Sequence, residues 1–475
     1  MSEGMRRLLD KVLVWVESFE WYSQFELPKF RQHKQSLSES DVAALTEAGK
    51  FVSAPPLCSV KAFCVPEWDK NRKRPIFWPD INASIDKSFL NQGLLPLRAA
   101  VRSTVSETCF AVQFDGASWY DQLGLCGDIP RLFSVFSDQC LGSLPMGFRP
   151  SADIAHVVMS AIADFPLPEG VKVTVYIDNI RFGGPSRSAV ESAARQFVER
   201  AASVGAVLNS DAIDVVEEED FLGERYDLRK QTRALTEKTM KKLSFARSLL
   251  PKRISFRQLA SVYGLLFFAS EVLDTNLSVF FKALRFYRTA SSCVQDWDKP
   301  APPIPNDAKT ELLAWFSSVE ENKPVPTSPS GPESHDATIY CDASEFGWGA
   351  YVVTSKGTSF LSGSWTDEDR EIYALGHSTV AEPLAIQRIV AASVDCTMKA
   401  VKVFSDHQGL VFAGNRGYGK CESYNNMCRF LSRYNTVFTF GHIPGSKNTI
   451  ADRLSREGML KFSEEDLDLF RNNLV

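Results

Sequence analysis

The chain has 475 residues, 44% hydrophobic and 23% charged. That is enough apolar matter for more than one buried core, and it excludes a wholly disordered chain. A formal net charge of −5 argues against a surface that is basic throughout.

Met1-Ser2-Glu3-Gly4-Met5-Arg6-Arg7 leads into an apolar run at 13–16 that Glu17 and Glu20 interrupt, too short and acidic for a secretory leader. No stretch reaches the ~18 apolar residues of a membrane span. The expectation is an intracellular protein, cytoplasmic or nuclear, with no membrane partner. The ten cysteines are scattered without a CxxC pair and read as reduced thiols. Residues 1–50 are expected to be an N-terminal extension, with Ser38, Ser40 and Asp41 suited to a helix cap.

Residues 109–114 read as a strand ending at Asp115, followed by Gly116-Ala117-Ser118-Trp119-Tyr120. Leu144-Pro145-Met146-Gly147 precedes helical spacing over 151–162. Residues 171–176 alternate with period two and run into Ile177-Asp178-Asn179, which predicts a hairpin turning at Asp178-Asn179. From 236 to 280 the pattern is mainly helical. Residues 229–257 hold ten Lys or Arg with Glu237 as the only acid. A helix of that kind either tracks phosphates, with Lys238, Lys241, Lys242 and Arg247 as contacts, or is a solvated charged face.

A Pro-rich seam at 299–336 encloses one short helix over 309–319 and reads as a linker. Beyond it, strands are expected at 337–341, 349–353, 401–404 and 436–443, a helix at 379–392, and an acidic amphipathic helix in the tail at 459–475. Four acids follow strand ends or sit on helices beside them: Asp342, Glu382, Asp406 and Asp452. Singly each is an ordinary turn residue. Gathered together, carboxylates repel and call for cations.

The string Pro444-Gly445-x-x-Asn448-x-x-Ala451-Asp452-x-Leu454-Ser455-Arg456 resembles the signature of retrotransposon RNase H domains, and the resemblance covers about 337–458. It implies cleavage of the RNA strand of an RNA–DNA hybrid, with Asp342, Glu382, Asp406 and Asp452 as catalytic metal ligands. His442 is expected as a half-buried strand residue outside that core.

Upstream, Phe114-Asp115, then Leu144-Pro145-Met146-Gly147, then Tyr176-Ile177-Asp178-Asn179 resembles the palm of reverse transcriptases. Arg72-Lys73-Arg74-Pro75-Ile76 through Asn82, Leu208-Asn209 with Phe221-Leu222-Gly223, and 255–264 extend the likeness over about 55–290. The closest flavour is the DIRS-like (tyrosine-recombinase) retroelements.

The implied fold class is α/β (α+β): a right-hand polymerase followed by an RNase H-like mixed-sheet domain. Its segments are 1–50, fingers and palm 51–228, thumb and connection 229–298, linker 299–336, RNase H-like domain 337–458, and tail 459–475. The implied activity is RNA-directed DNA polymerisation with RNase H. Asp115 and Asp178 would bridge a pair of Mg²⁺ ions, or Mn²⁺, and a second pair would sit in the RNase H site. Arg72, Lys73, Arg74, Tyr120, Met146, Gly147 and Asn179 would contact the incoming nucleotide.

The partners so implied are an RNA template, a DNA primer, the RNA–DNA hybrid and dNTPs. The sequence departs from the family at Asn179, where an aspartate is usual. One negative charge is therefore absent beside the metals. This leaves two alternatives open: an RNase H on a disabled polymerase body, or a domesticated nucleic-acid-binding protein.

Overall fold

The computed structural model describes residues 1–67, 72–90, 94–327, 334–458 and 463. The expected tail helix at 459–475 lies, Ser463 apart, outside the described residues, as does the Arg72 side chain. The chain forms two compact units. One holds Met1–Glu219 with Tyr226–Thr232, and the other holds Asp220–Arg225 with Arg233–Val475. Among the described residues, no helix is long and apolar enough to cross a membrane.

In the first unit, residues 1–50 contribute side chains to a core. The helix Glu3–Glu17 is capped by the Ser2 hydroxyl, which accepts from the Met5 N–H. It buries Val12, Trp15 and Val16 in one core with Tyr22, Ile81, Phe133 and Phe148. The strands Val60–Glu67 and Arg72–Pro79 pair antiparallel, with Val60 opposite Pro79.

Three further strands form a sheet in the order Phe110–Asp115, Asn179–Gly184, Lys172–Tyr176. Period-two alternation sends Val112, Phe114, Ile180 and Phe182 into a core with Ala155, Val190 and Phe197 of the covering helices Ser151–Ala163 and Arg187–Ser203. Gln113, Asp115, Asn179 and Arg181 are thereby placed on the other face. There Arg181 Nε donates to Glu219 at 2.6 Å, both side chains fully or nearly buried. Gln113 donates to the second Glu219 oxygen at 2.5 Å, and Arg181 also reaches the Thr108 hydroxyl at 3.0 Å.

The hairpin turn falls one residue earlier than the sequence pattern predicts. Tyr176 pairs with Asn179, so Ile177 and Asp178 form the turn and Asn179 opens the next strand. Ile177 has φ +60°, a conformation costly for a β-branched residue.

In the second unit, the helices Glu237–Leu249, Phe256–Val272, Phe281–Ser292 and Asn306–Glu320 surround fully buried Trp315. Trp315 stacks on Phe280 at 5.3 Å and donates its indole N–H to the Ser270 hydroxyl at 2.7 Å. The helix within the Pro-rich seam is therefore part of a core.

A five-stranded sheet follows in the order Gly357–Ser364, Gly347–Thr354, Ala337–Ala343, Ala400–Ser405, Val437–His442. The first three strands are antiparallel and the last two join in parallel. Ile339, Cys341, Val352, Val401 and Val403 pack with the helices Ser378–Ser393 and Glu422–Leu431. Leu454 of the helix Thr449–Glu457 packs with Tyr351 and Phe360.

Candidate active sites

In the first unit, Asp115 ends its strand directly opposite Asn179, and the Gly116 N–H donates to the Asp178 backbone oxygen at 2.9 Å. Both acids line a cleft of about 430 Å³ whose walls include Lys50, Lys73, Arg74, Tyr120, Met146 and Asn209. A Cβ on Gly116 would lie 2.8 Å from the Trp119 ring, so this glycine lets the chain fold back beside Asp115. Trp119 is anchored through its indole N–H to the Ala155 oxygen at 2.9 Å. Tyr120, next in sequence, has its phenol pushed up to about 12 by burial and by the nearby Asp178 charge, so it stays neutral.

The Leu144-Pro145-Met146-Gly147 turn is stitched to the neighbouring hairpin. The Phe77 N–H donates to the Met146 oxygen at 2.9 Å, and the Asn82 amide donates to the Gly147 oxygen at 2.9 Å. Gly147 adopts φ +119°, and a Cβ there would sit 2.5 Å from the Phe77 oxygen. Met146 lines the cleft. Gly147 lies behind it as a close-approach residue and is not among the lining residues.

Lys73 ion-pairs with Asp41 at 3.2 Å, which ties the cleft wall to the helix Glu39–Glu47. Lys50 pairs with Asp121. Asn179 does not line the cleft; its amide donates to Asp178 Oδ1 at 3.0 Å. Asn209, which the sequence reading matched to a motif but gave no role, donates to Asp115 Oδ2 at 2.6 Å.

In the second unit, Asp342, Glu382 and Asp406 bring one carboxylate oxygen each to within 4.8 Å of one another. Burial first, then Asp406 and Asp452, pushes the Asp342 carboxyl up to about 6. Glu382 is driven well above the carboxylate range, again by burial first and then by Asp342 and Asp406. One Glu382 oxygen accepts from the Ala343 N–H at 3.2 Å, while Oε2 is buried with no hydrogen-bond partner among the described residues. Three crowded carboxylates with an orphaned buried oxygen fit a hard divalent cation.

Asp452 is not in that group. Its Oδ1 accepts from Arg456 Nε at 2.8 Å, one helical turn on. Ser455, adjacent to Arg456, donates to Asp342 Oδ2 at 2.8 Å. These two side chains belong to the sequence signature, but hydroxyl and guanidinium partners carry no signal of their own in a sequence.

Asn448 donates to the Cys341 oxygen at 2.8 Å and so clips the helix start to the strand bearing Asp342. A Cβ on Gly349 would lie 2.4 Å from the Ser455 N, so glycine alone lets that helix lie on the sheet. His442 ends its strand opposite Ser405 as expected, but it is exposed rather than half-buried, since the last residue of a strand has no neighbour beyond it to cover it.

The basic segment 229–257 is partly compensated. Of its basic residues, Arg229 pairs with Glu217, Arg233 with Asp274, Arg247 with Glu320 and Arg257 with Asp298. Lys230 pairs with Asp227 and Lys241 with Glu237. Arg233 is wholly buried. Lys238, Lys241 and Lys242 remain exposed along the helix Glu237–Leu249, beside exposed Phe245.

No protein-family model and no curated protein matches the sequence. Among the solved structures similar in fold, one is the foamy viral protease-reverse transcriptase dRH in complex with double-stranded DNA (TM-score 0.50, 14% identity, covering 93% of this chain and 79% of that one). Another is the foamy viral protease-reverse transcriptase in complex with an RNA/DNA hybrid (TM-score 0.51, 15% identity, covering 93% and 61%). The chain thus has the fold of a retroviral reverse transcriptase, a polymerase body and an RNase H-like domain.

Proposed function

We propose that this chain is a retroelement reverse transcriptase with ribonuclease H activity, of the DIRS-like kind. It would copy an RNA template from a DNA primer and degrade the RNA of the resulting hybrid. The observation that carries the reading is the occurrence of two carboxylate sites in the order the family places them: Asp115 with Asp178 at a charged cleft, then Asp342 and Asp406 near strand ends with Glu382 on the helix beside them. The segments at 1–50, 51–228, 229–298, 299–336 and 337–458 are proposed to correspond to extension, fingers and palm, thumb and connection, linker, and RNase H-like domain.

Bound divalent cations, Mg²⁺ or Mn²⁺, would supply Lewis acidity toward the attacking and leaving oxygens of a phosphodiester. The chain's own groups do the rest. Asp115 and Asp178 would hold the cations at the first site, while Lys73 and Arg74, with Arg72, would offset the triphosphate charge. The neutral Tyr120 phenol bounds the cleft beside Asp178, where an added 2′-hydroxyl on the nucleotide would meet it. Asp342, Glu382 and Asp406 would hold the cations of the second site, with Asp452, paired to Arg456, as the fourth acid. Exposed Lys238, Lys241 and Lys242 follow phosphates without reading bases.

The test is primer extension on an RNA template beside cleavage of an RNA–DNA hybrid, with either cation. Asp115→Asn should abolish only extension, and Asp342→Asn only cleavage. A wild-type chain that cleaves but never extends favours the nuclease alternative. One that binds hybrid and does neither favours the nucleic-acid-binding alternative.

A further inference from the structure

Asn179 stands where the family carries a third carboxylate, and the obvious reading is a lost metal ligand. The hydrogen bonds say otherwise. The Asn179 side-chain amide donates to Asp178 Oδ1 at 3.0 Å, and it does so from the first residue of a strand paired with both Tyr176 and Asp115. Across the same rim, Asn209 donates its side-chain amide to Asp115 Oδ2 at 2.6 Å and its backbone N–H to the Asp115 oxygen at 2.8 Å. Each acid of the first site is therefore held through one oxygen by an asparagine amide.

The orientation of the amide is fixed by chemistry, because its carbonyl oxygen turned toward a carboxylate would be repelled. An ionised aspartate at 179 has no donor and would put a second charge against Asp178.

We infer that Asn179 is a positioning residue that orients Asp178 for cation binding, as Asn209 orients Asp115, and not a vacancy left by a lost ligand. The inference rests on the reading of this cleft as a two-carboxylate cation site. Its consequence is a site that works with two acids, each pre-set by a neutral donor that also spares the metal-free protein further repulsion. Outer-shell donors of this kind steer ligand geometry and are worth about 10–100-fold in metal affinity.

The experiment is a Mn²⁺ titration followed by calorimetry and electron paramagnetic resonance, on the full chain carrying Asp342→Asn to silence the second site. In this background Asn179→Ala is expected to weaken Mn²⁺ binding about tenfold. Asn179→Asp is expected to bind no tighter than Asn179, with a lower Tm in the absence of metal. Two results overturn the inference: unchanged Mn²⁺ affinity in Asn179→Ala, or at least about tenfold tighter binding in Asn179→Asp. If adding Asp178→Asn leaves the titration as it was, the cleft is not a cation site, and the polymerase reading falls with it. The control thus separates the two failures.

Discussion

The Ser423 hydroxyl donates to the backbone oxygen of Thr379 at 2.6 Å, and Thr379 is the residue four before Pro383. Proline has no N–H, so the Thr379 oxygen lacks its usual partner four residues on, and Cys421 Sγ approaches it only at 3.9 Å. Ser423 supplies one from the neighbouring helix. Pro383 adjoins Glu382, so this bond closes the backbone next to a member of the acidic group. Ser423→Ala should cost about 1 kcal/mol in urea unfolding. In the Pro383→Ala background, where the helix repairs itself, the same change should cost less. Equal costs in both backgrounds would refute the compensation.

Acidity of the second site should be visible in stability. The Asp342 carboxyl is raised to about 6, so the folded protein binds a proton there that the unfolded chain has released above its ordinary value near 4. Its contribution is fully present below about pH 4 and is lost as pH rises through about 6. Without divalent cations, Asp342→Asn should therefore gain in Tm over wild type as pH climbs through that window. Adding Mg²⁺ should stabilise wild type more than the variant. A Tm difference that stays flat with pH contradicts the assignment.

Gly349→Ala places a methyl group against the helix that carries Asp452 and Ser455. Overpacking of that sort costs about 1–3 kcal/mol. Hybrid cleavage should drop sharply and primer extension should persist. Loss of both activities together would show that the damage is not confined to that helix.

The buried pair Arg181–Glu219 lies on the sheet face that also carries Asp115 and Asn179. Removing one partner leaves a buried charge, so Glu219→Ala should destabilise the first unit by about 3–5 kcal/mol. The double change Arg181→Met with Glu219→Leu should recover much of that loss in chemical denaturation.

Along the helix Glu237–Leu249, Lys242→Ala should lower the salt dependence of hybrid binding by about one phosphate contact. Arg247→Ala removes the pair with Glu320 and should act mainly on stability. Filter binding across a salt series distinguishes them.

Much of this was legible in the residues. The strand-like runs leading to Asp115 and Asp342 and the period-two alternation of 171–176 could be read directly, and the motif order led to the fold. Three things were not legible. The hairpin turned one residue early because cross-strand pairing, not turn composition, set its register. The basic segment looked uncompensated because its acids, such as Asp274 and Glu320, lie far away in sequence. Gly147 looked like a wall of the cleft, although its lack of a side chain serves the backbone of Phe77.

The burial of Trp15 has a practical consequence. Its ring meets Phe148, next to the Met146-Gly147 turn, edge-on at 5.9 Å. An expression boundary drawn at residue 51, where recognisable motifs begin, would cut away Val12, Trp15, Val16 and Tyr22, and Lys50 from the cleft wall. The shortened polypeptide would expose a sticky apolar floor and should precipitate or recruit chaperones. Its silence in an extension assay would then report a missing wall and not an inactive enzyme.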